Sequence, residues 1–261
     1  VYIESPQNSR IRSFSQLKTK KGRAEQGLFI VEGFRLIEEV LESDIEIEAV
    51  LWDVGTDELQ SHIANHEKVR GHFLELSPDA FAAVADTVTP QGAIVIAKIP
   101  TPGKHPLAEQ VVLLDGMQDP GNVGTILRTC DAFGIGGVCC GTGTVDPYSP
   151  KVVRASMGGL FRLNVQSADS ERFVENWTKL HPGGQVIVSA AHGDTLCYET
   201  VLSGPYLLVI GSEAQGVRPS VSEHATTRVS IPMQGDAESL NAGVAGSILL
   251  YEAFRQKQKT P

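Results

Sequence analysis

Apolar and polar positions along the chain divide it into short buried runs alternating with amphipathic segments. GLFIVEG (27–33) and IEAVLWD (47–53) read as strands, and FRLIEEVLES (34–43) between them carries the apolar period of a helix. SPDAFAAVADT (77–87) predicts a second helix, with Ser77 as its N-cap and Pro78 in the first turn. GAIVIAKI (92–99) predicts another strand. The prolines and glycine of PTPGKHP (100–106) suit neither helix nor strand. We therefore expect a first domain over 1–99, a linker over 100–109 and a second domain over 110–261.

The second half repeats the alternation. VVLLDG (111–116), GGVCCG (136–141), QVIVSAA (185–191) and YLLVIG (206–211) read as strands, and helices are expected over 122–132, 150–158, 170–180 and 239–256. Continuous apolar strands separated by helices predict an α/β fold whose mostly parallel sheet is covered on both faces. Ligands of such sheets sit beyond the carboxyl ends of the strands, so the loops entering the helices are where chemistry is expected.

Length and composition add limits. The 261 residues suit one large domain or two ordinary ones. The longest apolar runs fall far short of the ~20 residues that span a bilayer, so no membrane partner is expected. No charged-then-apolar signal segment opens the sequence, which makes the cytoplasm the expected location. Cys130, Cys139, Cys140 and Cys197 lack paired C-x-x-C spacing, so we expect reduced, packed thiols and no structural metal.

The formal net charge of −9 speaks against nucleic acid until its distribution is considered. RIRSFSQLKTKKGR (10–23) carries Arg10, Arg12, Lys18, Lys20, Lys21 and Arg23 with no acid among them. Such a run is either a solvated face or a site for an RNA backbone.

The dinucleotide pattern G-x-G-x-x-G is missing after VVLLDG, where the chain reads MQDPGNVG, and no G-x-x-x-x-G-K-[ST] phosphate loop is present. A nucleotide-like ligand must be held in another way. Three strand-to-helix loops offer one. DPGNVGTILR brings Asn122 and Arg128, VIGSEAQGV (209–217) brings Gly211, Ser212, Glu213 and Gly216, and IPMQGDAESLNAGVAGSILLYE (231–252) brings Ser239, Leu240 and Asn241. Glycines there allow a ligand to approach the main chain. Taken singly, Asn122 reads as an N-cap, Ser239 as a cap of the last helix, Glu213 as a satisfier of loop amides and Arg128 as a residue on a wet helix face.

Together the three segments resemble the three motifs of the SpoU-type (TrmH-like) RNA 2′-O-ribose methyltransferases, in order and spacing over about 110–256. The first hundred residues look like the RNA-binding domain of ribosomal-RNA members, on the basic opening, FIVEG and the order of elements. The resemblance implies a SPOUT fold: a trefoil-knotted, mostly parallel sheet domain preceded by a smaller α/β RNA-binding domain. It also implies S-adenosylmethionine as cofactor, RNA (23S ribosomal RNA above all) as partner, and a homodimer. Backbone at Gly211, Ile231 and Leu240 is expected to frame the cofactor, with Asn122, Arg128, Glu213, Ser239 and Asn241 as the polar groups of the active site. Two positions depart from the family pattern: Ala214 follows the glutamate in place of glycine, and Ala242-Gly243 follow SLN in place of a β-branched pair.

The implied reaction is attack of a ribose 2′-oxygen on the sulfonium methyl. A guanidinium with a pKa above about 12 stays protonated, so we read Arg128 as an electrostatic clamp on the 2′-oxygen and a neighbouring phosphate. The small residues Ala242, Gly243, Ala245, Gly246 and Ser247 are expected to allow close approach at the dimer interface. The alternatives are a transfer-RNA methyltransferase of the same chemistry and a non-catalytic, ribosome-associated RNA-binding protein.

Overall fold

The computed structural model describes residues 1–54, 63, 65–101, 108–236 and 238–259. Of the expected linker over 100–109, residues 102–107 lie outside them. The chain forms two compact units, one of Val1–Thr101 with Tyr148–Arg162 and one of Pro102–Pro147 with Leu163–Pro261.

The first unit opens with β1 (Tyr2–Ile3), α1 (Ser9–Ser15), α2 (Lys20–Gln26), β2 (Leu28–Glu32), α3 (Phe34–Leu41) and β3 (Ile47–Asp53), and continues with β4 (Phe73–Leu76), α4 (Pro78–Val84) and β5 (Ala93–Lys98). Its five-stranded mixed sheet has the order β1-β4-β3-β5-β2. Ile11, Phe14 and Leu17 drive the basic segment onto a core that includes Ile30, Leu51, Leu76, Phe81 and Ile94. Asn8 caps α1 by accepting from the Arg10 amide at 2.9 Å, and Thr19 caps α2 by accepting from the Gly22 amide at 3.1 Å. Gly27, with φ 65°, supplies the left-handed residue that ends α2.

Ser77 caps α4 as the pattern predicts, its Oγ accepting from the Ala80 amide at 3.2 Å. The helix stops at Val84, short of the expected Thr87. The buried carboxylate of Glu32 accepts from the amides of Asp86 (3.0 Å) and Thr87 (3.2 Å), which takes those donors out of any helix.

The second unit starts with β6 (Gln110–Asp115), α5 (Pro120–Ala132) and β7 (Gly137–Cys140). The chain then contributes Tyr148–Arg162, with α6 (Pro150–Ala155), to the first unit. There the Tyr148 and Phe161 rings flank Phe29 at 5.1 and 6.2 Å between centroids, and Arg154 pairs with Asp86 at 2.7 Å. The second unit resumes with β8 (Val165–Ser167), α7 (Ser170–Leu180), β9 (Gln185–Ser189), β10 (Thr195–Leu196), β11 (Tyr206–Gly211), α8 (Pro219–Ser222), β12 (Thr227–Ser230) and α9 (Ala242–Lys259). Every pairing in its seven-stranded sheet, β10-β12-β9-β11-β6-β7-β8, is parallel.

The period-two alternation of strands explains the layers. Val111, Leu113, Val186, Val188, Leu207 and Val209 point to one face, where they meet Phe173, Val174 and Trp177 of α7. The intervening residues, such as Ile210, point to the other face, where α5 and α9 pack on each other. Both faces being covered, the strands show no alternation of polarity, as expected for a parallel sheet. No helix among the described residues is long and apolar enough to cross a membrane.

Candidate active site

β12, β9 and β11 are consecutive in the sheet, and their carboxyl ends open on one side into a cavity of about 180 Å³. Ser189 ends β9 and Ala190 and Ala191 follow it, Gly211 ends β11 with Ser212 and Glu213 after it, and Ile231 follows β12; Ser239, Leu240 and the α9 residues Ala242 and Ala245 line the cavity with them. The three positions expected to frame the cofactor, Gly211, Ile231 and Leu240, thus stand around one cavity.

The loop after β11 is closed by a short bridge. The Ser212 amide donates to the Gly216 carbonyl at 3.1 Å and the Gly216 amide to the Ser212 carbonyl at 2.9 Å, with Gly216 at φ 65°. A Cβ placed on Gly211 would lie 2.0 Å from the Gly216 carbonyl carbon and 2.2 Å from the Val217 nitrogen. Glycine is required here because backbone crosses backbone, whether or not a ligand is present.

Polar groups from all three segments converge on Glu213. Asn122 Nδ2 and Asn241 Nδ2 each donate to Glu213 Oε1 at 2.7 Å. Local capping makes this possible. Asp119 accepts from the Asn122 amide at 2.8 Å and caps α5, which begins at Pro120. The side chain of Asn122 is therefore released from the capping role its sequence context suggested. Asn241 is used twice: its Oδ1 accepts from the Val244 amide at 3.1 Å and starts α9, while its Nδ2 reaches Glu213. Ser239 lies ahead of that helix and lines the cavity instead of capping. Gly243 leaves room for the pair, since a Cβ there would stand 3.0 Å from Asn122 Oδ1 and 3.2 Å from Asn241 Oδ1. This gives a structural reason for the glycine in the departing Ala242-Gly243 pair.

Among the described residues Glu213 is the one charged side chain around the cavity; the rest of the wall is apolar, small or hydroxyl-bearing. Among the described residues no lysine or arginine lines the cavity, so it offers no side-chain cation to an anionic ligand. A wider groove of about 790 Å³ shares Ala191, Glu213, Ile231 and Ser239 with it and extends past His192 and Glu238.

Arg128 is not brought to this cavity. It is exposed on α5, and among the described residues its side chain forms no ion pair or hydrogen bond. The basic segment needs one correction. Arg10, Arg12, Lys20 and Lys21 are exposed and Lys18 is half-buried, but Arg23 is only 3 % exposed and donates through Nη1 to the Leu17 carbonyl at 2.7 Å. Arg23 braces the turn between α1 and α2 rather than standing with the outward cations.

Of the small residues of α9, Gly246 and Ser247 meet neighbours in the same chain. A Cβ on Gly246 would lie 2.8 Å from Ile210 Cδ1 and 3.2 Å from Ile126 Cδ1, and Ser247 Oγ is 3.0 Å from Thr129 Oγ1. They serve close packing within the chain. The exposed face of α9 carries Val244, Ile248 and Tyr251 instead. The four cysteines are buried and unbridged, and burial pushes the Cys139 thiol up to about 12.

Sequence reasoning missed several parts of the site. Ser189–Ala191 reads only as a strand end, and its role in the wall follows from β9 lying between β12 and β11. Asp115, at the end of β6, is fully buried and holds Arg218 at 2.6 Å, a pairing that bridges 103 positions of sequence and has no local signature.

The chain has relatives over nearly its whole length. Residues 109–251 match the model of the SpoU rRNA Methylase family, and residues 8–95 that of the MRM3-like substrate binding domain. The chain is 34 % identical over 249 residues to a 23S rRNA (guanosine(2553)-2′-O)-methyltransferase of Bacillus subtilis, covering 95 % of this chain and 97 % of that protein. It is 31 % identical to a 23S rRNA (uridine(2479)-2′-O)-methyltransferase of Streptomyces viridochromogenes, covering 96 % and 91 %. Among solved structures, the SpoU methyltransferase AviRb of Streptomyces viridochromogenes in complex with AdoMet superposes with a TM-score of 0.87 at 28 % identity, covering 98 % of this chain and all of that one (100 %). A putative RNA methyltransferase of the TrmH family from Porphyromonas gingivalis gives 0.84 at 33 % identity, covering 95 % and 98 %. With three polar motifs gathered at one cavity and these likenesses over nearly its whole length, the chain belongs to the SpoU rRNA methylase family.

Proposed function

We propose that this protein transfers the methyl group of S-adenosylmethionine to a ribose 2′-hydroxyl of 23S ribosomal RNA. The observation that carries the reading is the convergence of Asn122, Glu213 and Asn241 beside a cavity walled by three strand ends. The cofactor would bring a sulfonium methyl and an adenine. Backbone at Gly211, Ile231 and Leu240 would offer amides and carbonyls to the ring, and Glu213, in the cavity wall, would face the positive charge. Relatives of named 23S specificity support ribosomal RNA as the substrate, as does the match to a substrate-binding domain over 8–95. RNA as the partner, the cytoplasm as the place of action and the trefoil knot belong to the same reading.

The chain's own residues then act mainly by positioning, the effect that matters most when one prebuilt electrophile meets one hydroxyl. Glu213 fixes both amides through one oxygen, and Ser239 faces the same space. Arg128 would keep its proton and stabilise the 2′-oxygen as the methyl is transferred, the hydroxyl's own proton passing to bulk water. Its exposure supports action across a homodimer interface, with Arg128 of one subunit serving the cavity of the other. The exposed apolar row Val244, Ile248 and Tyr251 on α9 is suited to such an interface. The test is transfer of a labelled methyl group to purified ribosomal and transfer RNA, followed by digestion to nucleosides. Label in a 2′-O-methylnucleoside of ribosomal RNA is expected; label confined to transfer RNA would shift the substrate, and none at all would favour a non-catalytic RNA-binding protein.

A further inference from the structure

The buried carboxylate of Asp115 lies outside the cavity and has no part in the chemistry described so far, yet it accepts five hydrogen bonds. Its side chain is 0 % exposed. Arg218 donates to it through Nη2 to Oδ1 at 2.6 Å and through Nε to Oδ1 at 3.0 Å and Oδ2 at 3.2 Å. The backbone amide of Arg218 donates to Oδ2 at 3.0 Å and Ser170 Oγ to Oδ1 at 2.7 Å. Burial pushes the carboxyl pKa up, but the hydrogen bonds from Arg218 and Ser170 outweigh it and hold the group below the usual carboxylate range.

The position of this pair gives it a purpose. Asp115 is the residue opposite Gly211 in the β6–β11 ladder. Arg218 is the exit residue of the loop that starts at Gly211 and carries Glu213. Between them the loop is closed by the Ser212–Gly216 bridge. After Arg218 comes Pro219, which opens α8 and brings no N–H of its own, so the amide of Arg218 is the last donor available for tethering the loop. A buried ion pair is close to neutral in stability against apolar residues of the same size, so its contribution here is geometry.

We infer that Asp115 and Arg218 are positioning residues: the pair latches the exit of the 212–217 loop to the neighbouring strand and so sets the Gly211 backbone and Glu213 for the cofactor. The inference rests on the cofactor-cavity reading above. Arg218 is 35 % exposed, so Arg218→Lys leaves the fold intact while losing the planar fork that grips both carboxylate oxygens.

The experiment measures S-adenosylmethionine affinity by calorimetry and amide exchange in the 212–217 loop, on wild type, Arg218→Lys, Arg218→Ala, Asp115→Asn and the double variant Asp115→Asn with Arg218→Ala. Loss of charge-assisted hydrogen bonds predicts affinity weakened about 10- to 100-fold in Arg218→Ala, less in Arg218→Lys. Exchange at Ser212 and Gly216 is expected to quicken even without cofactor. The double variant is expected to be no worse than the worse single one, as for residues acting as a unit. Folded Arg218→Lys and Arg218→Ala proteins with wild-type affinity and unchanged loop exchange would overturn the latch, whatever their melting temperatures. Gly211→Val is the control: cofactor binding by wild type that survives Gly211→Val overturns the cavity reading. Quickened loop exchange in the Arg218 variants with no cofactor bound by wild type would leave the latch standing and remove its purpose, and so overturn the inference as stated.

Discussion

Arg12 and Lys20 stand in solvent on short helices of the first unit, whereas around the cavity of the second unit Glu213 is the one charged side chain among the described residues. The first surface offers positive charge at arm's length, fit for a phosphate backbone that carries charge everywhere and sequence nowhere. The second is a cavity walled in part by small residues such as Gly211 and Ala242. The two regions should therefore answer to different perturbations. One should respond to salt and to the number of cations, the other to a single methyl group.

The largest effect is expected where backbone crosses backbone. Gly211→Val places a branched side chain against Gly216 and Val217, so the loop must move. We expect no measurable S-adenosylmethionine binding by calorimetry and unchanged RNA affinity in a filter assay. Retained cofactor affinity in the folded variant would contradict the steric account of the second region.

Next comes Arg128→Ala. Removing one preorganised donor at a developing charge typically costs about 3–4 kcal/mol of barrier, or a loss of 10²–10³ in rate. We expect a variant that folds, dimerises and binds cofactor but turns over that much more slowly. Mixed with Gly211→Val subunits it should regain activity, because about half of randomly exchanged dimers are hybrid and each hybrid holds one intact shared site. Recovery on mixing tests action across the interface; full activity of Arg128→Ala alone would return this arginine to the wet face of an ordinary helix.

The basic segment supplies the gentler contrast. Replacing Lys18, Lys20 and Lys21 with Ala should lower the slope of log affinity against log salt by nearly one per lost phosphate contact. Arg23→Ala should leave that slope alone and instead destabilise the protein by about 1–3 kcal/mol, since it strips a charged donor from the buried Leu17 carbonyl. A slope change with Arg23→Ala, or none with the triple variant, would break the division between outward and inward cations.

These contrasts also mark what was readable in the chain. The buried parallel strands announce themselves because both faces are covered: YLLVIG is apolar throughout and forms β11 over Tyr206–Gly211. Short strands of mixed polarity, such as β8 and β10, were not seen, since so short a run carries no period. The α/β fold with its parallel sheet was legible, whereas the assignment of Tyr148–Arg162 to the first unit was not, because nothing local tells Phe161 that its partner is Phe29. At the site, Pro120 was a usable signal that Asp119, not Asn122, caps α5. Arg23 misled because charge was read without the turn that buries it. The Asp115–Arg218 pair was hidden for a plainer reason: it joins residues far apart in sequence, and only the strand order brings them together.

The central claim is methyl transfer from a cofactor in the cavity of the second unit to the ribose of ribosomal RNA. Its most direct test incubates the protein with methyl-labelled S-adenosylmethionine and ribosomal RNA, digests the RNA to nucleosides and separates base-methylated from 2′-O-methylated products. The account predicts label in a single 2′-O-methylnucleoside with wild-type protein and none with Gly211→Val. Label on a base, or equal label with both proteins, would contradict it.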